Sequence, residues 1–351
     1  MVVLWYYATS DKVTLTVLEH FMSHFLPVRF NRNLSAVNTM SESTIKNIRC
    51  SISQSTVKHY KSDLNHFHDW LIKTGRSEQL PHPVETIADY ISYLDDSDFR
   101  MKTIERRIQA ISWIHRMNDY HLPPTKHEVV RVVLQGIRRR RAEDGRSATA
   151  RSKQPITVEM LQHMVDQCDQ SNIRGTRDRS LLLMCFSSAL RRSELMSLKV
   201  DDVMITSKGA DITVRRSKTD QTGEGEMVCI TRSGSDYCPV SALIKWLTES
   251  GVNDGYIFRR ISSADNVLKH GLSLDGKTLA NKVKEYAKKA GYNPAAVSGH
   301  SLRSGMLTSA AENGADLIPL AQHARHKNVS QTMHYIRKAN RYKNNPTDGL
   351  L

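Results

Sequence analysis

Between residues 44 and 140 apolar side chains return every third or fourth position with no strand-like alternation, so this stretch has to fold as helices. Val57, Tyr60, Leu64, Phe67 and Leu71 make one apolar stripe; Val84, Ile87, Ile91 and Leu94 make a second. Ile104, Ile108 and Ile111 repeat the pattern, as do Val130, Val133, Leu134 and Ile137. Breaks fall at Gly75, at Pro81 and Pro83, and at Pro123-Pro124. The spacing predicts roughly four or five amphipathic helices joined as a small bundle.

The pattern changes after Pro155. Helices are expected at about 157–169 and 177–188, the latter (LLLMCFSSAL) apolar on most sides and therefore buried. DITVRR and MVCIT are short β-rich runs separated by the polar SKTDQTGEGE, which predicts an antiparallel hairpin with a long turn. Helices resume at about 240–249, 278–290, 301–313 and 316–323, and again around Tyr335. The expected fold is mainly α: a helical bundle over 44–140, a linker at 141–154, and an α-rich domain with a small antiparallel sheet over 155–351. Residues 1–43 carry no pattern that selects among a short helix, a partner-binding arm and a loose tail.

Charge narrows the function. Fifty Lys and Arg stand against 36 Asp and Glu, a formal +14, which calls for a polyanionic partner, either nucleic acid or an acidic membrane surface. Residues 126–153 concentrate that excess, with nine basic residues against three acidic ones. Placed between two domains, such a run suits a strap along phosphates as well as it suits a solvated surface. The five cysteines (Cys50, Cys168, Cys185, Cys229, Cys238) form no CxxC pair, which argues against a disulfide framework or a zinc site and fits a reducing compartment. No apolar run approaches the roughly 20 residues that cross a bilayer, and the N-terminus lacks the basic region of a signal peptide, so a soluble cytoplasmic protein is expected.

Four segments carry chemistry. SALRRSELMSL sets Arg191 and Glu194 three apart on one helix face, and RRSKTDQ puts Lys218 at the hairpin turn. SGHSLRSG sets His300 and Arg303 three apart at a helix start, and HKNVSQTMHYIR puts His326 nine residues before Tyr335. Each alone has an ordinary reading: an arginine on a helix is usually solvated, Glu194 can pair with Arg191 on a surface, and a lone tyrosine usually packs. His323 and His326 resemble a metal pair, yet no cysteine or carboxylate cluster completes a site.

Together, in this order and at these local spacings, the segments resemble the tyrosine site-specific recombinase, or phage integrase, family, and within it the Cre-like branch. The likeness extends to SQSTVKHYKSDLNHFHDWLIKTGR and MKTIERRIQAISWIHR, which resemble the family's groove-entering helices, and covers roughly residues 44–345. It implies an enzyme that cuts and rejoins duplex DNA without metal or nucleotide cofactor, through a 3′-phosphotyrosine on Tyr335. Arg191 and Arg303 then present forked donors to the non-bridging phosphate oxygens, and His300 is the base that accepts the phenolic proton. Lys218 protonates the leaving 5′ oxygen, Glu194 orients His300 or an arginine, and His326 donates to a phosphate oxygen.

The resemblance also implies protomers paired on an inverted-repeat site and assembled into a tetramer, with the tail after Tyr335 docked on a neighbour. Expected DNA contacts are Lys58, Lys102, Arg106 and Arg107 in the first domain, Arg138, Arg139 and Arg141 leading into the linker, and Lys277 where Cre-like members carry a base-reading arginine. Two rivals remain, a type IB topoisomerase and a DNA-binding protein on the same scaffold without catalysis. The chain departs from the family at Arg325: members often have glycine immediately before the residue matching His326, so a different local turn is expected here.

Overall fold

The structure, a computed structural model, describes residues 41–118, 120–146, 153–215, 225–268, 273–340 and 347. The chain divides into two compact units, Met1–Ala150 and Arg151–Leu351.

In the first unit a short helix, α1 (Glu42–Cys50), precedes α2 (Gln54–Lys73), whose N-terminus is capped by the Ser53 side chain accepting from the Thr56 amide at 3.2 Å. Then come α3 (Val84–Asp96), α4 (Met101–Met117) and α5 (Glu128–Glu143), with α2 packed on α4 and α3 on α5. The breaks are where the sequence puts them. Gly75 takes a left-handed φ of 66° just past α2, and Pro83 stands at the N-cap of α3. The stripes converge: Leu64, Phe67, Leu71, Ile87, Ile91, Leu94, Ile104, Ile108, Ile111 and Ile137 line one core. Truncating one of the larger aliphatic side chains there would cost about 2–5 kcal/mol.

Charged groups also lie inside this unit. Asp95 is 1% exposed and accepts from both Arg140 and Arg141, while Arg141, itself 7% exposed, donates a further bond to the Phe99 carbonyl at 2.7 Å. This corrects the sequence reading twice. Helix α5 runs three residues into the stretch read as linker, and Arg141, offered there as a DNA contact, is a structural cation. It stands four residues beyond Ile137 and so continues the buried stripe with a guanidinium instead of a methyl group.

In the second unit, α6 (Val158–Asp166) and α7 (Ile173–Ser187) lead to the short α8 (Arg192–Ser197). Leu181 through Cys185 on α7 are each 1% exposed or less, because α9 (Pro239–Ser250), α6 and α11 (Ser301–Glu312) all pack against it. That is the all-round burial expected of LLLMC. Three antiparallel strands follow α8: β1 (Val203–Ile205), β2 (Gly209–Val214) and β3 (Glu226–Thr231), with Ile212 paired to both Val203 and Val228. The hairpin is where the sequence predicts it, and β1 is an addition. After α9 come α10 (Gly276–Lys289), α11, α12 (Leu317–Ala324) and α13 (Val329–Ala339). Gly305 sets α11 close to the segment before α6: a Cβ there would sit 1.9 Å from the Ile156 carbonyl oxygen, so no other residue fits without moving the backbone.

Candidate active site

Helix α7 stops at Ser187 and the chain reverses through Ala189, which takes a left-handed φ of 49°. Arg191 therefore sits at the N-cap of α8 in an extended conformation, and the two residues read as sharing one helix face form a cap instead. The Glu194 carboxylate accepts from the Arg191 backbone amide and from Arg191 Nη1, both at 2.7 Å. Glu194 is 2% exposed. Burial pushes its carboxyl up, but Arg325 and Arg191 outweigh that and hold it below the ordinary glutamate range.

His300 is the N-cap residue of α11 and Arg303 lies in its first turn. The Arg303 guanidinium, 3% exposed, donates through Nη1 to the Ala189 carbonyl and through Nη2 to the Ala324 carbonyl. A guanidinium has five N–H donors, so those two contacts fix its plane and leave donors for a ligand. Desolvation and the nearby cations Arg191 and Arg325 bring its pKa down to about 10. Desolvation and the charges of Arg303, Arg191 and Arg192 lower His300 as well, so at neutral pH its ring is unprotonated and able to accept a proton.

His326 follows α12, and its Nδ1 lies 2.8 Å from the hydroxyl of the fully buried Thr332 on α13. With Thr332 donating, the imidazole keeps its proton on Nε2 and presents a neutral donor. Desolvation and then Arg303, Arg191, His300 and Arg325 push its pKa down to about 4. His323 is otherwise engaged: Nε2 lies 2.8 Å from the Ser187 carbonyl, and no cluster of three or more metal-ligating side chains occurs among the described residues.

Tyr335 stands in the middle of α13, half-buried against Leu307, Ala311, Leu320 and Ala324. Burial raises its phenol above the ordinary tyrosine value, and Arg303 partly opposes that. The phenol is thus protonated at neutral pH and requires a base in order to attack.

Arg191, Arg303, Arg325 and both histidines share one electrostatic neighbourhood with Tyr335, opposed by the carboxylates of Glu194 and Glu226. The surplus is positive, and it adds to burial in depressing the histidines. An arriving dianionic or monoanionic oxygen cluster would neutralise it and raise both histidines. Lys218 lies outside the described residues.

Arg325 was legible only as a departure. It takes φ 52°, ψ 52°, the left-handed conformation that glycine adopts freely and that costs another residue roughly 1–2 kcal/mol. At this turn the arginine thus adopts a conformation open to glycine without strain. Its guanidinium, 2% exposed, donates to Glu194 and lies 3.1 Å from Glu226.

The expected DNA contacts divide. Lys58 on α2, Lys102 on α4, Arg139 on α5 and Lys277 on α10 are exposed. Arg138 is exposed and paired with Glu105 at 2.8 Å, and Arg106 is partly exposed and held by both oxygens of the buried Asp63 at 2.8 Å. Arg107 is a correction: 8% exposed, it lies 3.6 Å from Asp63, 3.1 Å from His66 and 4.1 Å above the Phe99 ring, all core contacts.

Tyr335 on α13 lies in the field of Arg303 on α11, in the same positively charged neighbourhood as Arg191 and the two depressed histidines, an arrangement suited to binding an anion. Comparison with known proteins fixes the family. Residues 154–341 match the phage integrase family and residues 47–117 match the phage integrase N-terminal SAM-like domain. An integrase/recombinase XerD homologue of Selenomonas ruminantium is 34% identical over 296 residues, 84% of each chain. Recombinase Cre of Escherichia phage P1 is 25% identical over 337 residues, 90% of this chain and 95% of Cre. The fold is similar to that of the XerH site-specific recombinase bound to palindromic difH substrate (TM-score 0.61, 15% identity, 93% of this chain and 91% of that one). The chain belongs to the phage integrase family of tyrosine recombinases.

Proposed function

We propose that the protein is a site-specific recombinase that cleaves and rejoins duplex DNA through a 3′-phosphotyrosine on Tyr335. What supports this most is the placement of Tyr335 in the field of Arg303, within a site whose positive surplus suits a phosphodiester. Arg191 and Arg303 stabilise the charge that builds on the non-bridging oxygens as the Tyr335 oxygen attacks phosphorus. His300, unprotonated in the free protein, takes the phenolic proton, and His326 Nε2–H donates to a phosphate oxygen. Glu194 orients Arg191. Lys218 protonates the departing 5′ oxygen, and attack of a new 5′ hydroxyl on the phosphotyrosine reverses the sequence.

In this reading the bundle and the catalytic domain close around DNA as a clamp joined by a basic linker. Lys58, Lys102, Arg106, Arg138 and Arg139 contact it from the first domain and Lys277 from the second. Two protomers occupy an inverted-repeat site, two such pairs synapse as a tetramer, and exchange passes through a Holliday junction. The chain works in the cytoplasm on the nucleoid, and among the described residues no helix is long and apolar enough to cross a membrane. Sequencing the DNA trapped covalently on the protein tests the reading. A single recurrent inverted repeat supports it, whereas adducts scattered at random, with relaxation of plasmids lacking any target, would replace it with a type IB nicking-closing activity.

A further inference from the structure

Arg325 adds a third guanidinium, itself buried, to a site already crowded with positive charge. It lies close enough to Arg303 and His326 to depress both, and it is held in a backbone conformation that glycine would adopt without strain. A residue carrying both penalties is there for its side chain. Its Nη2 donates to Glu194 Oε2, the same oxygen that accepts the Arg191 backbone amide, while Oε1 of that carboxylate accepts Arg191 Nη1. Its Nε faces Glu226, the first residue of β3, at 3.1 Å. Its Nη1 is buried with no hydrogen-bond partner among the described residues, which a cation serving packing alone would not tolerate well.

We propose that Arg325 is a positioning residue for cleavage: it locks the Glu194 carboxylate through Oε2, the oxygen that also takes the Arg191 amide, and so fixes the plane in which Arg191 meets the scissile phosphate. Without it, Glu194 keeps the cap bond to Arg191 but gains a rotation about its own side chain, and the Arg191 fork turns with it. The link to Glu226 ties the same cap to the sheet. This inference rests on the recombinase reading of the site.

The test is single-turnover cleavage of a nicked target by the full-length chain, scored as covalent adduct. Arg325→Gly removes the guanidinium at a position where glycine relieves the backbone. It is expected to bind DNA as tightly as wild type and to cleave about 10²-fold more slowly, the scale of a misplaced catalytic group. Free guanidinium ion, at concentrations too low to unfold the protein, should restore part of the rate. In a Glu194→Gln background the same change should cost little more, because both act through one carboxylate. Arg325→Lys, which keeps the charge and loses the fork, should bind normally and cleave several-fold more slowly; it supplies the same cycle if the glycine variant melts early. An Arg325→Gly protein that cleaves at the wild-type rate, or losses that multiply in the double variant, overturn the inference while leaving the recombinase reading intact. A wild type that forms no Tyr335-linked adduct overturns both.

Discussion

The carbonyl oxygen of Ala324, at the end of α12, accepts a hydrogen bond from the Arg303 guanidinium on α11. The next residue is Arg325, so the turn that delivers His326 is pinned on one side by Arg303 and on the other by Glu194. Function and local fold are therefore inseparable at this turn, and substitutions there must be read with binding and melting data beside the rates.

Tyr335→Phe removes only the phenolic oxygen and leaves the ring packed against Leu307 and Leu320. Gel shifts should persist at wild-type affinity while denaturing gels show no protein–DNA adduct. An adduct of normal yield from this variant would move the nucleophile elsewhere.

Lys218→Ala should slow cleavage of ordinary DNA by roughly 10²–10⁴ if the ammonium is the general acid. A thiolate leaves without protonation, since its pKa is near 8.5. A substrate with sulfur at the bridging 5′ position should therefore restore most of the rate in this variant, whereas Arg191→Ala should gain nothing from it. Equal slowness of Lys218→Ala on both substrates would exclude the acid role.

Arg141 and Arg139 are two residues apart and should behave oppositely. Arg141→Ala leaves the buried Asp95 short of a partner and should cost about 3–5 kcal/mol in urea unfolding. Arg139 is exposed, so Arg139→Ala should leave stability within about 0.5 kcal/mol and flatten the dependence of log affinity on log salt by about 0.9. Lys277→Ala should instead relax selectivity at one base pair by roughly 1–3 kcal/mol.

Acid should weaken the first unit. The amide of His82 donates to His115 Nε2 at 3.2 Å inside the bundle, and burial lowers both rings, His82 to about 4. A histidine depressed in the fold binds its proton more readily in the unfolded chain. For His82 that contribution is complete above the unfolded value near 6.5 and falls as pH drops from there towards 4, by about 1.4 kcal/mol per unit; His115 shifts the same way. Glu194, also depressed, begins to lose its contribution as pH falls below the ordinary glutamate range. Urea titrations at pH 7.5, 6 and 5 check this: His82→Gln should flatten the decline, and an unchanged slope would remove the pair as its source.

What the sequence made legible follows from what periodicity can encode. Apolar stripes located α2 to α5, and the run LLLMC marked α7 as central, because burial of those side chains is what forms the elements. Strand β1 left no trace, being three residues long with Met204 and Ile205 on the outside. Arg107 and Arg141 were misread because a charge in a stripe looks solvated until its carboxylate is known, and Asp63 and Asp95 come from other helices. The candidate catalytic side chains were named from motif order, which local spacing carries. Arg325 was visible only as a missing glycine, and its partner Glu226 lies about 100 residues earlier in the chain, beyond any local pattern.

Arg191 and Arg303 do not share one foundation with Tyr335. Leu190, Leu195 and Leu302, beside Arg191, Glu194 and Arg303, belong to the large core of the second unit, whereas Tyr335 and Ile336 rest on a small separate cluster, and Thr332 is the buried residue of α13. Detaching α13 would thus expose little apolar surface and spare Arg191 and Arg303. Reactivity can be withdrawn from such an enzyme without dismantling it: a protomer with its last helix lifted would still grip its substrate but hold no blade.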